Sequence, residues 1–412
     1  MGAGPRVDAT GGERPLGFST RAIHARAPGP GPDVEPAAVP IWLSSDYLFD
    51  GVEHYAELLS GQRSGYAYAR FGSPTHTALH QVLASLEDAE AALSFTSGMA
   101  AVLTSLTTLA EAGDHIVADR GVYNTTYTLL ASFLPRYGVR VTFVAPEAEA
   151  VDQAIEPATR AVLIDSITTP TFRVADVAGV AAVCAAREVP LIVDNTIATP
   201  YLLRPLDLAG VEVVLHSTSK YIGGHSDLIG GSVAASAELI GRMHELSKQQ
   251  GTIAGVFDAW LALRGVQTLA IRVERQCATA LALAGVLAEH GEVRTVGYSG
   301  LAGHPDHQRA SKLFGGARFG AMLSLCLRGG YEAAVAFCGA LRIARVGSGF
   351  GGMRTEVRHP ATTSHRFLTQ EQRLLMGIDQ GLVRVSVGAE DAEDLVEDFV
   401  QALDRLNQGK GS

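Results

Sequence analysis

The chain has 412 residues, 47% hydrophobic and 18% charged, which excludes a disordered polymer and suits roughly two to three domains. Thirty-three lysines and arginines stand against 43 aspartates and glutamates, a net charge of −10 that disfavours broad binding to nucleic-acid phosphates. Cys184, Cys277, Cys326 and Cys338 form no Cys-x-x-Cys pair, so neither a zinc site nor a disulfide framework is indicated and no metal is expected.

In chain order, Met1 to Gly17 is rich in Gly, Pro and Arg and has no apolar stretch, so it does not read as a secretory signal. Arg6 stands where a myristoylation motif needs Ser or Thr. Ala27 to Pro32 alternates with proline and forms neither a regular helix nor a central strand. Residues 1–40 therefore read as an arm, disordered or laid across another surface, within an N-terminal unit set at 1–65. From residue 66 short apolar runs alternate with longer Ala/Leu-rich segments. Strands are expected at Ala91–Phe95, His115–Ala118, Val139–Val144, Ala161–Asp165, Leu191–Asp194, Val211–Leu215 and Gly231–Ala234, with helices such as Met99–Ala110 and Val177–Ala186 between them. Buried runs of Val and Ile alternating with helices predict an α/β unit over 66–265, built on a mostly parallel seven-stranded sheet covered on both faces. Ligands of such sheets sit at the carboxyl ends of the strands. The longest apolar run, Val177 to Ala186, is too short to span a bilayer. A cytoplasmic protein with free thiols and no membrane contact is expected.

Beyond residue 266 the pattern changes. Gln267 to His290 reads as one long helix, Ala321–Leu327 as a strand, and Ala392–Leu406 as an amphipathic helix with Leu395, Val396, Phe399, Val400, Leu403 and Leu406 on one face. Residues 266–412 are set as a smaller α/β domain. No internal repeat is present.

The segment that carries chemistry is Leu191-Ile192-Val193-Asp194-Asn195-Thr196 with Leu215-His216-Ser217-Thr218-Ser219-Lys220-Tyr221-Ile222-Gly223-Gly224-His225. Each half ends a strand, so Asp194 and Lys220 can face one crevice. That pairing meets the needs of pyridoxal 5′-phosphate (PLP). A lysine amine holds the cofactor as a Schiff base and, once displaced, moves protons. A carboxylate at the pyridine nitrogen keeps the ring an electron sink. Ser217 and Ser219 flank the lysine with hydroxyls suited to a phosphate ester, and the glycines that follow permit close backbone approach. Phe95-Thr96-Ser97-Gly98-Met99 joins a strand to a helix, where backbone N–H groups can receive a phosphate; Ser97 also suits an ordinary N-cap. Tyr123 follows another strand, where its ring can stack on a cofactor or serve packing.

On these motifs the chain resembles the Cys/Met-metabolism family of PLP enzymes, which includes cystathionine γ-synthase, cystathionine γ-lyase and β-lyase, methionine γ-lyase and O-acylhomoserine sulfhydrylase. The likeness runs from Thr20-Arg21-Ala22-Ile23-His24 to Gly381-Leu382-Val383-Arg384-Val385-Ser386-Val387-Gly388. It implies fold type I and assigns roles by position. Lys220 would be the Schiff-base lysine and Asp194 the partner of the ring nitrogen. Gly98, Met99, Ser217 and Ser219 would hold the phosphate, and Tyr123 would stack on the ring and act as acid–base. Tyr68 and Arg70 would reach the phosphate of a neighbouring subunit, which implies a catalytic dimer, paired into a homotetramer. Arg384 would bind the substrate α-carboxylate as a bidentate fork, although the sequence alone equally allows a structural ion pair.

The resemblance also exposes departures. Thr169 stands where relatives usually carry an Asn near cofactor and substrate carboxylate. Ser73 replaces Asn before Pro74, Asp46 and Tyr47 replace Thr-Phe, and Gly255-Val256 replaces Ser-Pro. Arg345 to Glu356, with Ser348 as a candidate substrate contact, replaces a Ser-Leu-Gly and Glu-Ser-Leu-like stretch. Its extra glycines, Arg354 and Glu356 suggest a reshaped pocket. The Gly-x-Gly-x-Gly pattern follows no βαβ start, so a dinucleotide reading is set aside. The reading is γ-elimination on an unusual γ-substituted L-amino acid. The alternatives are γ-replacement, a non-catalytic PLP-binding protein, and a cofactor-free Schiff-base aldolase.

Overall fold

The structure is a computed structural model that describes residues 16–24 and 36–408, the last two by backbone alone. The proline-alternating stretch at 27–32 lies outside the described residues. Seven strands, β1 (Ala91–Phe95), β2 (His115–Asp119), β3 (Arg140–Val144), β4 (Thr159–Asp165), β5 (Leu191–Asp194), β6 (Val211–His216) and β7 (Gly231–Ala235), form one sheet in the order β1-β7-β6-β5-β4-β2-β3. Only β7 runs antiparallel to its neighbours. The expected strands match these within two residues at either end.

The apolar runs alternate between two cores, as side chains of a strand must. Ala161 and Leu163 face one side with Ile192, Val213 and Leu215; Val162 and Ile164 face the other with Leu191, Val193 and Val214. The helices Gly98–Leu109 and Ala237–Gln250 cover the first side. Pro74–Glu87 and Val177–Arg187 cover the second. Burial on both faces is why these strands read as continuous hydrophobic runs. The exception is β3 at the sheet's edge, whose Arg140 and Thr142 stand exposed.

A second sheet follows, in the order β10-β11-β12-β9-β8, from β8 (Val293–Gly297), β9 (Met322–Leu327), β10 (Arg345–Val346), β11 (Glu356–Arg358) and β12 (Leu382–Ser386). The long helix is Leu269–Glu289, preceded by a separate helix at Val256–Val266. Leu395, Phe399 and Leu403 of the final helix, Ala392–Gln408, are fully buried. The core on the second face of the large sheet continues without a break into this smaller part.

The N-terminal segment behaves differently. A helix at Val52–Leu59 has no buried residue, and Leu43, Leu48 and Val52 are 78%, 99% and 80% exposed. Among the described residues no helix is long and apolar enough to cross a membrane.

Candidate active site

The carboxyl ends of β4, β5 and β6 meet at one crevice. Asp165 pairs in register with Asp194, and Asp194 with Leu215, just before the turn that carries Lys220. That turn is fastened from behind by Arg272, 5% exposed, which donates to the carbonyls of Tyr221 at 2.7 Å and Gly265 at 2.8 Å. Gly224 has φ +74°, and a Cβ there would fall 2.0 Å from the Arg272 guanidinium, so only glycine closes this turn.

A cavity of about 180 Å³ opens over the crevice, room for roughly six waters at about 30 Å³ each. It gathers Gly98, Met99, Tyr123, Thr169, Asp194, Ser217, Ser219 and Lys220, all expected from the sequence. A larger cleft of about 930 Å³ lies around Arg21, Asp88 and Arg204. These charged groups already pair with one another, and Arg204 also pairs with Asp207, so the chemistry belongs to the smaller cavity.

Each wall has a distinct chemistry. Asp194 accepts both its hydrogen bonds on Oδ1, from the Thr196 N–H at 3.0 Å and the Thr196 hydroxyl at 2.5 Å. Its Oδ2 is left without a partner among the described residues. Thr196 Oγ1 in turn accepts from the Ser217 N–H at 2.8 Å, tying the carboxylate to the lysine turn. Lys220 Nζ lies 4.8 Å from the centre of the Phe350 ring. Burial, then the charges of Arg384 and Arg358, lower its pKa, which raises the neutral, nucleophilic fraction.

The helix at Gly98 starts against Ser217: a Cβ on Gly98 would lie 2.9 Å from the Ser217 Cβ. Ser97 caps it by accepting from the Ala100 N–H at 3.1 Å. Capping leaves the N–H groups of Gly98 and Met99 without a partner among the described residues, at the positive end of the helix, where an anion can be received. Ser219 is tied to the Gly230 N–H and carbonyl, at 2.9 and 3.2 Å.

These features fit PLP. A carboxylate oxygen open to the cavity suits a ring N–H cation. Free helix N–H groups beside a serine suit a phosphate, and a lysine of lowered pKa suits a carbonyl carbon.

Other expected residues lie elsewhere. Arg384 on β12 is buried, 4% exposed, with its guanidinium 5.8 Å from the Phe350 ring. Ser348 does not line the cavity; its carbonyl accepts from Arg358. Arg354 is exposed, and Glu356 accepts from the Gly349 N–H at 2.9 Å. Tyr68 and Arg70 stand on the outside, Arg70 donating to the Lys248 carbonyl at 2.8 Å.

The sequence reading passed over Asp165, Thr196, Phe350 and Arg358. Thr196 carried a local signal, since an Asp two residues before a Thr favours a side-chain-closed turn. Asp165 is buried beside Asp194, accepts from the Tyr123 N–H at 3.1 Å, and has its pKa raised by burial and then by the charge of Asp194.

Asp119, one strand further on, has one oxygen bound to the Gly121 N–H at 2.7 Å and the other buried without a partner among the described residues. Burial pushes it up to about 7 from an ordinary 3.8. The folded protein then keeps a proton that the unfolded chain releases, so this group's contribution to stability falls as pH rises from about 4 to about 7. Thermal midpoints should show wild type losing stability relative to Asp119→Asn across that window. A pH-independent gap between the two proteins would sink this account.

Fold and cavity together define a fold type I PLP-dependent enzyme. The family described as Cys/Met metabolism PLP-dependent enzyme matches residues 19–404, and the chain belongs to it. It is 39% identical to an L-methionine gamma-lyase of Treponema denticola, over 95% of this chain and 98% of that protein. It is equally 39% identical to a cystathionine gamma-synthase of Mycobacterium bovis, over 96% and 99%. A crystal structure of a putative O-acetylhomoserine (thiol)-lyase from Campylobacter jejuni, holding N′-pyridoxyl-lysine-5′-monophosphate, superposes with a TM-score of 0.89 at 26% identity, covering 94% of this chain and 100% of that one. The protein is thus a PLP-dependent lyase or transferase acting at the γ-carbon of an amino acid.

Proposed function

We propose that the chain catalyses γ-elimination on a γ-substituted L-amino acid outside the ordinary sulfur substrates. The observation that carries this is an asymmetry. The cofactor-side groups converge on one cavity, while the substrate side has Thr169, a glycine-rich loop and an unforeseen arginine, Arg358. When bound, PLP supplies an electron sink for charge developed at Cα and Cβ.

In this reading Lys220 is the catalytic base, taking the Cα proton and then moving one at Cβ. Tyr123 would cover the ring and protonate the group leaving Cγ. Asp194 would keep the ring nitrogen protonated, and Gly98, Met99, Ser217 and Ser219 would hold the phosphate. Arg384 takes the α-carboxylate, with Thr169 and Ser348 shaping its surroundings. The substrate lies between a cofactor-holding unit, 66–265, and a smaller unit, 266–412. The exposed apolar stripe of the 1–65 arm fits an interface. Tyr68 and Arg70 are assigned to a neighbour's phosphate within a cytoplasmic homotetramer.

Equal identity to a lyase and a synthase favours γ-replacement as the second reading. Turnover with and without added thiol separates them: elimination releases 2-oxo acid and ammonia in both, whereas replacement yields a new amino acid when the thiol is present. High activity on methionine, cystathionine or O-acetylhomoserine would overturn the unusual substrate.

A further inference from the structure

The glycine-rich stretch between β10 and β11 lies against one face of the smaller sheet. β11 and β12 run antiparallel with Glu356 opposite Ser386 and Arg358 opposite Arg384. Opposite residues share a face, as do residues two apart on one strand, so these side chains project to the same side. There they grip the loop group by group. Arg358 donates to the Gly347 carbonyl at 3.2 Å and to the Ser348 carbonyl, and Arg384 donates to the Gly349 carbonyl. Glu356 accepts from the Gly349 N–H at 2.9 Å, and Ser386 accepts from the Gly351 N–H at 3.1 Å.

The other side of the loop meets the lysine turn. Gly351 has φ +77°, and a Cβ there would lie 2.7 Å from the Tyr221 nitrogen. Both polar groups of Gly349 are thus engaged, the N–H by Glu356 and the carbonyl by Arg384. Arg384 is 4% exposed, and its Nε is buried with no partner among the described residues. A guanidinium held through one proton of Nη2 still presents Nε–H and the second Nη2 proton, the fork that a carboxylate fits. Where that fork points follows from where the Gly349 carbonyl stands. Glycine has the least backbone restraint of any residue, so this carbonyl needs an outside hold. Glu356 supplies it. Gly347 makes the room: a Cβ on it would fall 2.1 Å from Glu356 Oε2, so the carboxylate fills the space a side chain would take.

We propose that Glu356 is a positioning residue for substrate binding: by holding Gly349 through its N–H, it fixes the carbonyl that aims Arg384 at the substrate α-carboxylate. This rests on the role proposed above for Arg384 and adds the device that orients it.

Binding of two unreactive amines to the holoenzyme tests it without turnover. L-Norleucine and pentylamine differ only by the α-carboxylate. Calorimetric titration of wild type should show norleucine binding about tenfold tighter or more, the value of one charge-assisted hydrogen bond. Glu356→Ala should cut that preference to under about threefold by weakening norleucine alone. Gly347→Ala should do the same, because the added methyl displaces the carboxylate without removing it. Glu356→Gln keeps an acceptor for the Gly349 N–H and should hold the preference within about twofold of wild type. An undiminished preference in both alanine variants overturns the proposal. Equal weakening of both ligands also overturns it, leaving Glu356 a part of the scaffold. A glutamine variant as poor as Glu356→Ala overturns it too, placing the effect in the charge and not in the hold on Gly349. The role of Arg384 fails separately, if wild type binds the two ligands alike or if Arg384→Gln leaves the preference intact.

Discussion

Lys220→Ala abolishes turnover, with a loss of at least about 10⁴-fold, the upper end for a positioned proton-transfer group. The purified variant also lacks the visible absorption of lysine-linked cofactor. Both effects have one origin: the only lysine among the described residues lining the cavity is the proposed covalent anchor and the proposed base. The turn that presents it is held by Arg272 and by Gly224, neither of which depends on the lysine side chain. Circular dichroism and the thermal midpoint of the apo form should therefore stay near wild type. Lys220→Arg should fail almost as completely, because a guanidinium stays protonated and cannot attack a carbonyl. A variant that kept both turnover and colour would remove Lys220 from the chemistry.

Asp194→Asn lowers kcat by about 10²–10³-fold, the scale of one preorganised electrostatic group. Asparagine keeps the size and can still accept from Thr196, but it carries no charge to hold a ring nitrogen protonated. Asp165→Asn is the informative contrast. Burial raises the pKa of both acids, and the charge of Asp194 raises Asp165 further, whereas Thr196 hydrogen bonds and His216 favour the charged form of Asp194. An amide closely imitates a neutral acid, so Asp165→Asn should cost less than about tenfold. Steady-state kinetics with cofactor in excess separates the two. Similar losses from both substitutions would mean that the negative charge is not localised on Asp194.

The strands were legible because burial on both faces turns them into unbroken apolar runs, and the crevice followed because ligands of such sheets sit where those runs end. Lys220, Asp194, Gly98 and Tyr123 each lie at or just beyond the end of a strand, so one topological rule gathers them. Arg358 follows no such rule. Its strand is three residues long, and its meaning arises from standing opposite Arg384, a neighbour created by a pairing between distant segments. Phe350 was equally hidden, because its place beneath Lys220 depends on how the glycine-rich loop folds back over the large sheet. Ser73 was noticed only as a departure. In the structure it is the N-cap of the helix Pro74–Glu87, with proline at the first helical position, a role its local sequence could have announced.

The stripe formed by Leu43, Leu48 and Val52 has a consequence outside chemistry. A solitary chain carries these side chains on a segment with little packing of its own, the kind of surface that chaperones and proteases recognise. A second copy seated on the stripe, as in the assembly proposed above, would withdraw it from surveillance. The abundance of this protein in a cell would then depend on how quickly new chains find partners as well as on how fast they are made.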